Sequence, residues 1–361
     1  DSTGFNGDQL NDDATDSGAV YVLTRNASGQ WLYEAYLKPS NTDAEDEFGA
    51  SLALEGDTLV VGAPADDGAA PGVDGDDASN DALDSGAAYV FVRNGTTWTQ
   101  QAYLKATNPD SQDGFGDAVA LRGDRIVVGS PGENSASNGV DANPLDNEAP
   151  EAGAVYLFDR FGTTWAPSAY IKALDSETGD QFGDAVALTD EWLAVSAYRE
   201  DGPGNATFEA GTVYLFEWSG AAWVARGKLR PPHPDAEDQF GIDIDLDGDR
   251  LVVGAWLEDS ASTGVGGDGS DDSLPNAGAA YLFRLFGGAW QFEHYLKPAV
   301  TDLSDQFARK VALSNGLIAV GSIREDGSSS GLGGDPLDNR ATNAGAVWTF
   351  DAPRTTIGGQ V

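Results

Sequence analysis

The chain has 361 residues, 40% of them hydrophobic, enough to bury a sizeable core. With 59 acidic against 20 basic side chains its formal net charge is -39, which repels phosphate backbones and anionic membrane surfaces and excludes nucleic acid as a natural partner. It holds no cysteine, so disulfides, thiolate chemistry and cysteine-ligated metals are excluded, and no apolar run approaches the ~20 residues of a membrane-spanning helix.

Residues 1–17 read as an acidic, glycine-containing loop. Residues 18–23 (Gly-Ala-Val-Tyr-Val-Leu) are a strand by their β-formers, a polar turn follows at 25–30, and residues 31–38 (Trp to Lys) form a second strand. Then comes a stretch that organises everything after it. Residues 46–67 read as two short strands about a tight turn, and the same layout returns at 113–134, 180–201, 238–259 and 305–326. Their phenylalanines, Phe48, Phe115, Phe182, Phe240 and Phe307, stand 67, 67, 58 and 67 residues apart, a period that marks a repeat architecture.

The opening strand pair recurs as well. Its glycines are Gly18, Gly86, Gly153, Gly211, Gly278 and Gly345, and its tryptophans are Trp31, Trp98, Trp165, Trp223 and Trp290. At one fixed place in every unit, these aromatics read as core filler between stacked sheets. Each unit therefore has four short antiparallel strands: A (Phe-Gly onward), B (Leu-Val-Val-Gly), C (Gly-Ala-Val-Tyr-Val-Phe) and D (Trp to Tyr-Leu-Lys). Four-stranded sheets repeated about an axis make a β-propeller, and no helical periodicity supports an alternative.

The pairing of Phe48-Gly49 with Gly62-Ala63-Pro64, and of Phe115-Gly116 with Gly129-Ser130-Pro131, resembles the FG-GAP repeat of the integrin α-subunit propeller and its bacterial relatives. The likeness spans about residues 5–350. It implies an all-β propeller as a single domain over residues 1–361, with repeats at about 48–105, 115–172, 182–230, 240–297 and 307–350. Residues 18–38 then serve as N-terminal closing strands. The strand count favours five blades with the termini closing the ring; six blades, or part of a seven-bladed ring, are the alternatives.

Strand alternation puts A–B and C–D turns at one end of each blade and the long, acidic B–C and D–A loops at the other. The D–A connections repeat acid-x-x-Asp-x-Phe at Asp43/Asp46, Asp110/Asp113, Glu177/Asp180, Asp235/Asp238 and Asp302/Asp305. The B strands end in Asp66/Asp67, Glu133/Asn134, Glu200/Asp201, Glu258/Asp259 and Glu325/Asp326. Further along the B–C loops stand Asp8, Asp76, Asn143, Asp268 and Asp335, then Asp12, Asn80, Asn147, Asp272 and Asn339.

Oxygen donors gathered without histidine or cysteine suit a hard cation, so the expectation is Ca²⁺ on Asp43, Asp46, Asp67, Asp110, Asp113, Glu177, Asp180, Asp201, Asp235, Asp238, Asp259, Asp302, Asp305 and Asp326. The competing reading is that each Asp caps a turn, with Lys38, Lys105, Lys172, Arg230 and Lys297 as ion-pair partners. Integrin blades carry calcium loops in the A–B turn, which is too short here. The one similar run, residues 243–249, aligns on strand positions, so Asp243 and Asp245 are expected on the inner channel with Lys310 beside Asp243. Arg122-Gly123-Asp124 reads as one version of the A–B turn.

In integrins the B–C and D–A loops form the ligand face. Here the third B–C loop, residues 199–210, is nine residues shorter than its neighbours and opens a notch. Tyr198 and Trp256 stand where the first two blades have Pro64 and Pro131 and the last has Ile323; with Arg199 and Glu258 they suit a carbohydrate or a peptide, or else cover their own blades. The two histidines, His233 and His294, have no nucleophile in range of sequence, so hydrolytic triads are not expected and a two-carboxylate glycosidase is the remaining enzymatic reading. The expectation is a non-enzymatic extracellular binding or adhesion module, secreted or displayed at the cell surface, taking a protein or glycan. It does not insert in membranes; a structural scaffold self-associating through its surplus strand is the alternative. The lack of methionine, even at position 1, is expected of a mature or excised piece.

Overall fold

In a computed structural model of the chain, residues 3–11, 13–202 and 204–352 are described, and every named element among them is a strand. Asp12 of the first acidic loop lies outside the described residues. The first pair is β1 (Val20–Arg25) with β2 (Trp31–Leu37). Four complete four-stranded sheets follow. They are β3 (Leu52–Glu55), β4 (Thr58–Ala63), β5 (Ala87–Asn94) and β6 (Thr97–Leu104); then β7 (Val119–Arg122), β8 (Arg125–Ser130), β9 (Ala154–Phe161) and β10 (Thr164–Ile171). The third has β11 (Val186–Leu188), β12 (Trp192–Ala197), β13 (Thr212–Trp218) and β14 (Trp223–Leu229), and the fourth β15 (Phe240–Asp247), β16 (Arg250–Ala255), β17 (Ala279–Phe286) and β18 (Ala289–Leu296). A three-stranded sheet, β19 (Phe307–Ser314), β20 (Leu317–Ser322) and β21 (Ala346–Asp351), ends the series.

Each sheet runs in chain order with antiparallel neighbours, so the chain is an all-β propeller of four-stranded blades. The 21 strands among the described residues are those of five blades with one over. The three-stranded sheet and the N-terminal pair hold between them the strands of the fifth blade and the surplus one. By compactness the chain divides into residues 1–191 with 217–225, and residues 192–216 with 226–361.

In the first unit the repeated phenylalanine fills the blade. Phe115 meets Tyr156 and Phe158 of β9 edge-on at 5.4 and 6.1 Å between ring centroids. Phe48 does the same with Tyr89 and Phe91 of β5, at 5.5 and 5.9 Å. Trp98 and Trp165 are buried, each indole donating across to the preceding D strand, to Glu34 at 3.0 Å and Gln101 at 2.9 Å. Trp31 departs from the expectation of core filler: with no preceding D strand among the described residues, it is 67% exposed.

The glycines of the motif are steric. Gly116 donates its amide to the carbonyl of Gly129 at 2.9 Å, and a Cβ on Gly129 would stand 1.9 Å from the carbonyl oxygen of Gly183 in the next repeat. Gly62 faces Gly116 in the same way. In the second unit Phe240 packs on Tyr281 and Phe283 at 5.3 and 5.9 Å, and Gly254 faces the carbonyl of Ala308.

Candidate functional site

The loop end of each blade rests on a buried charge pair. Lys172, fully buried at the end of strand D, donates to Glu133 at the end of strand B at 2.7 Å. Lys105 and Asp66 meet at 3.2 Å, and Lys297 and Glu258 at 2.8 Å, all four almost fully buried. Burial draws all three lysine pKa values down, and the paired acids oppose it. In the third repeat Arg230 takes the lysine's place against Glu200, joined by Lys228 and by Thr212, which donates at 2.8 Å. Lys38, on the pair that has no B strand, donates instead to the Ser17 hydroxyl at 2.7 Å and to the Gly18 carbonyl. Apart from Lys38, the basic residues thus pair with acids at the ends of the B strands rather than with those of the D–A connections.

The D–A acids cap their own turns. Asp46, Asp113, Asp180, Asp238 and Asp305 each accept the amide of the acid three residues earlier, at Asp43, Asp110, Glu177, Asp235 and Asp302, over 2.9–3.3 Å. Asp43, Asp110 and Asp302 in turn accept the side-chain amides of Asn80, Asn147 and Asn339. In the four B-strand pairs whose second member is an aspartate, that residue also has a backbone role: Asp67, Asp201, Asp259 and Asp326 accept the amides of Asp84, Glu209, Asn276 and Asn343 over 2.7–2.9 Å. Those four amides belong to residues at φ between 46° and 56°, so the carboxylates fix left-handed turns just before strand C.

Nine of the fourteen expected metal residues thus cap backbone amides, and among the described residues no three His, Asp or Glu side chains converge to hold a metal ion. Burial, offset in part by the cap hydrogen bonds, raises Asp46 and Asp113 to about 7, Asp238 to about 8 and Asp305 to about 6. Asp113 also keeps one buried carboxylate oxygen, Oδ1, without a partner.

The run at 243–249 behaves as a strand, as its alignment indicates. Asp243, Asp245 and Asp247 alternate along β15 and accept the amides of Val311, Leu313 and Asn315, each at 2.6 Å. Lys310 reaches Asp243 at 3.3 Å. Arg122 is held by Glu55 and Asp190, and Asp124 by Arg160, so the charged ends of the Arg-Gly-Asp turn are already paired.

Of the expected ligand residues, Tyr198 is buried with Arg199 over its ring at 5.3 Å, and Glu258 belongs to the Lys297 pair. Trp256 donates to Gln239 at 2.7 Å and lies under Arg309 at 4.9 Å. Tyr198 is thus packed at the end of its own blade, whereas Trp256 stays half-buried between its own repeat and β19 of the next.

Sequence reasoning missed a cavity of about 120 Å³ in the fourth repeat, lined by Pro232, His233, Gly267, Asp268, Gly269, Tyr281, Phe292 and Tyr295. Its signal was legible: His233 stands two residues before Asp235, where the first two repeats have Asn41 and Asn108 before Asp43 and Asp110.

The FG-GAP repeat model matches residues 31–91, 98–158, 165–216 and 223–283. No curated protein matches the chain. Among solved structures it is similar to the crystal structure of the N-terminal domain of Nup159, at 8% identity and a TM-score of 0.37, over 90% of this chain and 65% of that one. With four matched repeats covering more than half of its length, the chain belongs to the FG-GAP repeat family.

Proposed function

We propose that the chain is a non-catalytic binding module of adhesion type, secreted or surface-displayed, which takes an extracellular protein or carbohydrate on its B–C and D–A loops. The observation that carries this reading is the double fastening of those loops. Asp67, Asp201, Asp259 and Asp326 pin the turns before strand C, and the buried pairs, such as Lys172 with Glu133, anchor the loops from beneath. A preordered loop surface binds without the entropic cost of ordering it. The formal net charge of -39 adds attraction for a cationic partner face. A screen of soluble glycans and extracellular-matrix proteins, run at low and high salt, tests it. Saturable binding to one ligand class is expected, weakened by Asp76→Lys with Glu148→Lys on the exposed loops; uniform silence across the screen, or capture unchanged by those substitutions, overturns it.

A scaffold role is the second reading, favoured by β21, which among the described residues lacks the D-strand neighbour that the C strands of the full blades have. An open strand edge is a template for pairing with another chain. Light scattering of the chain with and without residues 1–24 separates the two, because a scaffold assembled through surplus strands changes mass and a binding module does not.

A further inference from the structure

The cavity of the fourth repeat follows from two substitutions in the repeat pattern. In the first two repeats an asparagine fills this place. Asn41 accepts the Tyr89 hydroxyl at 2.7 Å and donates to Asp66 at 3.2 Å. Asn108 accepts the Tyr156 hydroxyl at 2.8 Å and donates to the Pro144 carbonyl at 2.7 Å. In the fourth repeat His233 replaces the asparagine and is exposed, and Gly269 replaces Asp77 and Pro144. Tyr281, which corresponds to Tyr89 and Tyr156, is 2% exposed, and its hydroxyl has lost its partner. A buried hydroxyl without a hydrogen bond is costly, and the fourth repeat keeps one at a cavity wall where the first two repeats satisfy theirs with asparagine.

The walls are aromatic and the surroundings negative. Tyr281 meets Phe292 and Tyr295 at interplanar angles of 55° and 66°, so the rings form inclined walls rather than a stack. Gly267 and Gly269 let the loop lie on Tyr295; a Cβ at Gly269 would come within 3.2 Å of its ring. Asp268 stands at the mouth, its carboxyl held below the usual range by the Ser270 hydroxyl and amide. Asp235 adds negative charge near Tyr281, while Glu258 is matched by Lys297 and Asp238 is raised to about 8 by burial, so Asp268 is the ionised group that lines the cavity. Aromatic faces and ionised carboxylates attract the same kind of guest, an organic cation. At about 30 Å³ for each water, a volume of about 120 Å³ is that of roughly four waters, the scale of a headgroup with four or five heavy atoms.

We propose that this cavity binds an alkylammonium headgroup, supplied by a free methylated amine or by a lysine side chain of a protein partner. The inference rests on the binding-module reading and names a ligand class for one part of the loop surface.

Calorimetry on the intact chain tests it with tetramethylammonium and N-acetyl-lysine amide as the cations, and tert-butanol and methyl glucoside as neutral controls. One saturable site is expected for at least one cation, with tert-butanol at least tenfold weaker; a preference between the cations identifies the source. Restoring the sibling residues with His233→Asn and Gly269→Asp is expected to weaken the cation at least tenfold while the thermal midpoint holds. Phe292→Ala, at a half-exposed wall, gives the same loss should the double variant fold poorly. Equal binding of tert-butanol, binding of the glucoside alone, no binding of either cation, or full cation affinity in both variants overturns the proposal. The glycan and matrix screen repeated on the double variant keeps the two readings apart, since partner binding that survives there leaves the module standing without this site.

Discussion

Asp245 stands on β15, yet its carboxylate accepts the backbone amide of Leu313 on β19 at 2.6 Å. Asp243 and Asp247 repeat the contact on either side, so three side chains do for β19 what a neighbouring strand's carbonyls would do. The acids are individually disfavoured by burial and rescued by these donors: Asp243 and Asp245 are both raised by burial, against the pull of the Val311 and Leu313 amides. Asp245→Ala is expected to cost about 1–3 kcal/mol in urea unfolding, because it leaves the Leu313 amide unpaired. A change within error would show that solvent serves that amide equally well.

Glu133 and Lys172 set a sharper test. Both are almost fully buried, so removing one leaves the other as an uncompensated charge. Lys172→Met alone is expected to lose about 3–5 kcal/mol, whereas Lys172→Met with Glu133→Leu recovers most of that loss. If the double variant is as unstable as the sum of the singles, the pair is not coupled and the loop end is held by packing.

Much of this fold was readable before any coordinates. The spacing of Phe48 to Phe307, the strand assignments and the Asp243–Lys310 contact all follow from periodicity, since strands impose a two-residue alternation that repeats make conspicuous. The roles of the acids were harder to read. Asp46 and Asp67 have the same chemistry whether they coordinate a cation or cap an amide, and the amides of Asp43 and Asp84 that they accept come into view only once the turns are placed in space. Lys105 illustrates the remaining difficulty, because its partner Asp66 is 39 residues away on another strand. Tyr198 and Trp256 pose the same difficulty: an aromatic at a loop base suits a ligand platform or a cover for its blade, and the arginines over them, Arg199 and Arg309, show only in three dimensions.

Gly129 tests the steric meaning of the family motif. Gly129→Ala would drive a methyl against the Gly183 carbonyl, a fixed backbone atom, and is expected to cost at least about 2 kcal/mol or to shift the two repeats apart. Gly123→Ala, at φ +57° with no atom within 4 Å, is the control and is expected to cost about 1 kcal/mol from backbone strain alone. Denaturant midpoints of the two variants give the comparison, and equal losses would remove the close approach as the reason for the glycine.

The capping carboxyls give the chain an unusual pH dependence. Asp46 and Asp113 titrate at about 7 and Asp238 at about 8 in the folded state, against a reference of 3.8. Between these limits the folded chain binds more protons than the unfolded one, so its stability is greatest at the acid end of the range and falls as pH rises through 7 to 8. The drop expected between about pH 5.5 and 8.5 is on the order of 2 kcal/mol, well under the ~4 kcal/mol ceiling that a shift of three units would set for one fully isolated carboxyl. Asp238→Asn keeps an oxygen for the Asp235 amide while removing the charge, and should flatten part of the slope. Stability that rises over this interval would contradict the burial of these groups. Calcium supplies the companion measurement: if these carboxylates only cap, Ca²⁺ at pH 8.5 stabilises the chain no more than an equal ionic strength of Na⁺, and a saturable rise in midpoint specific to Ca²⁺ would assign them to a cation instead.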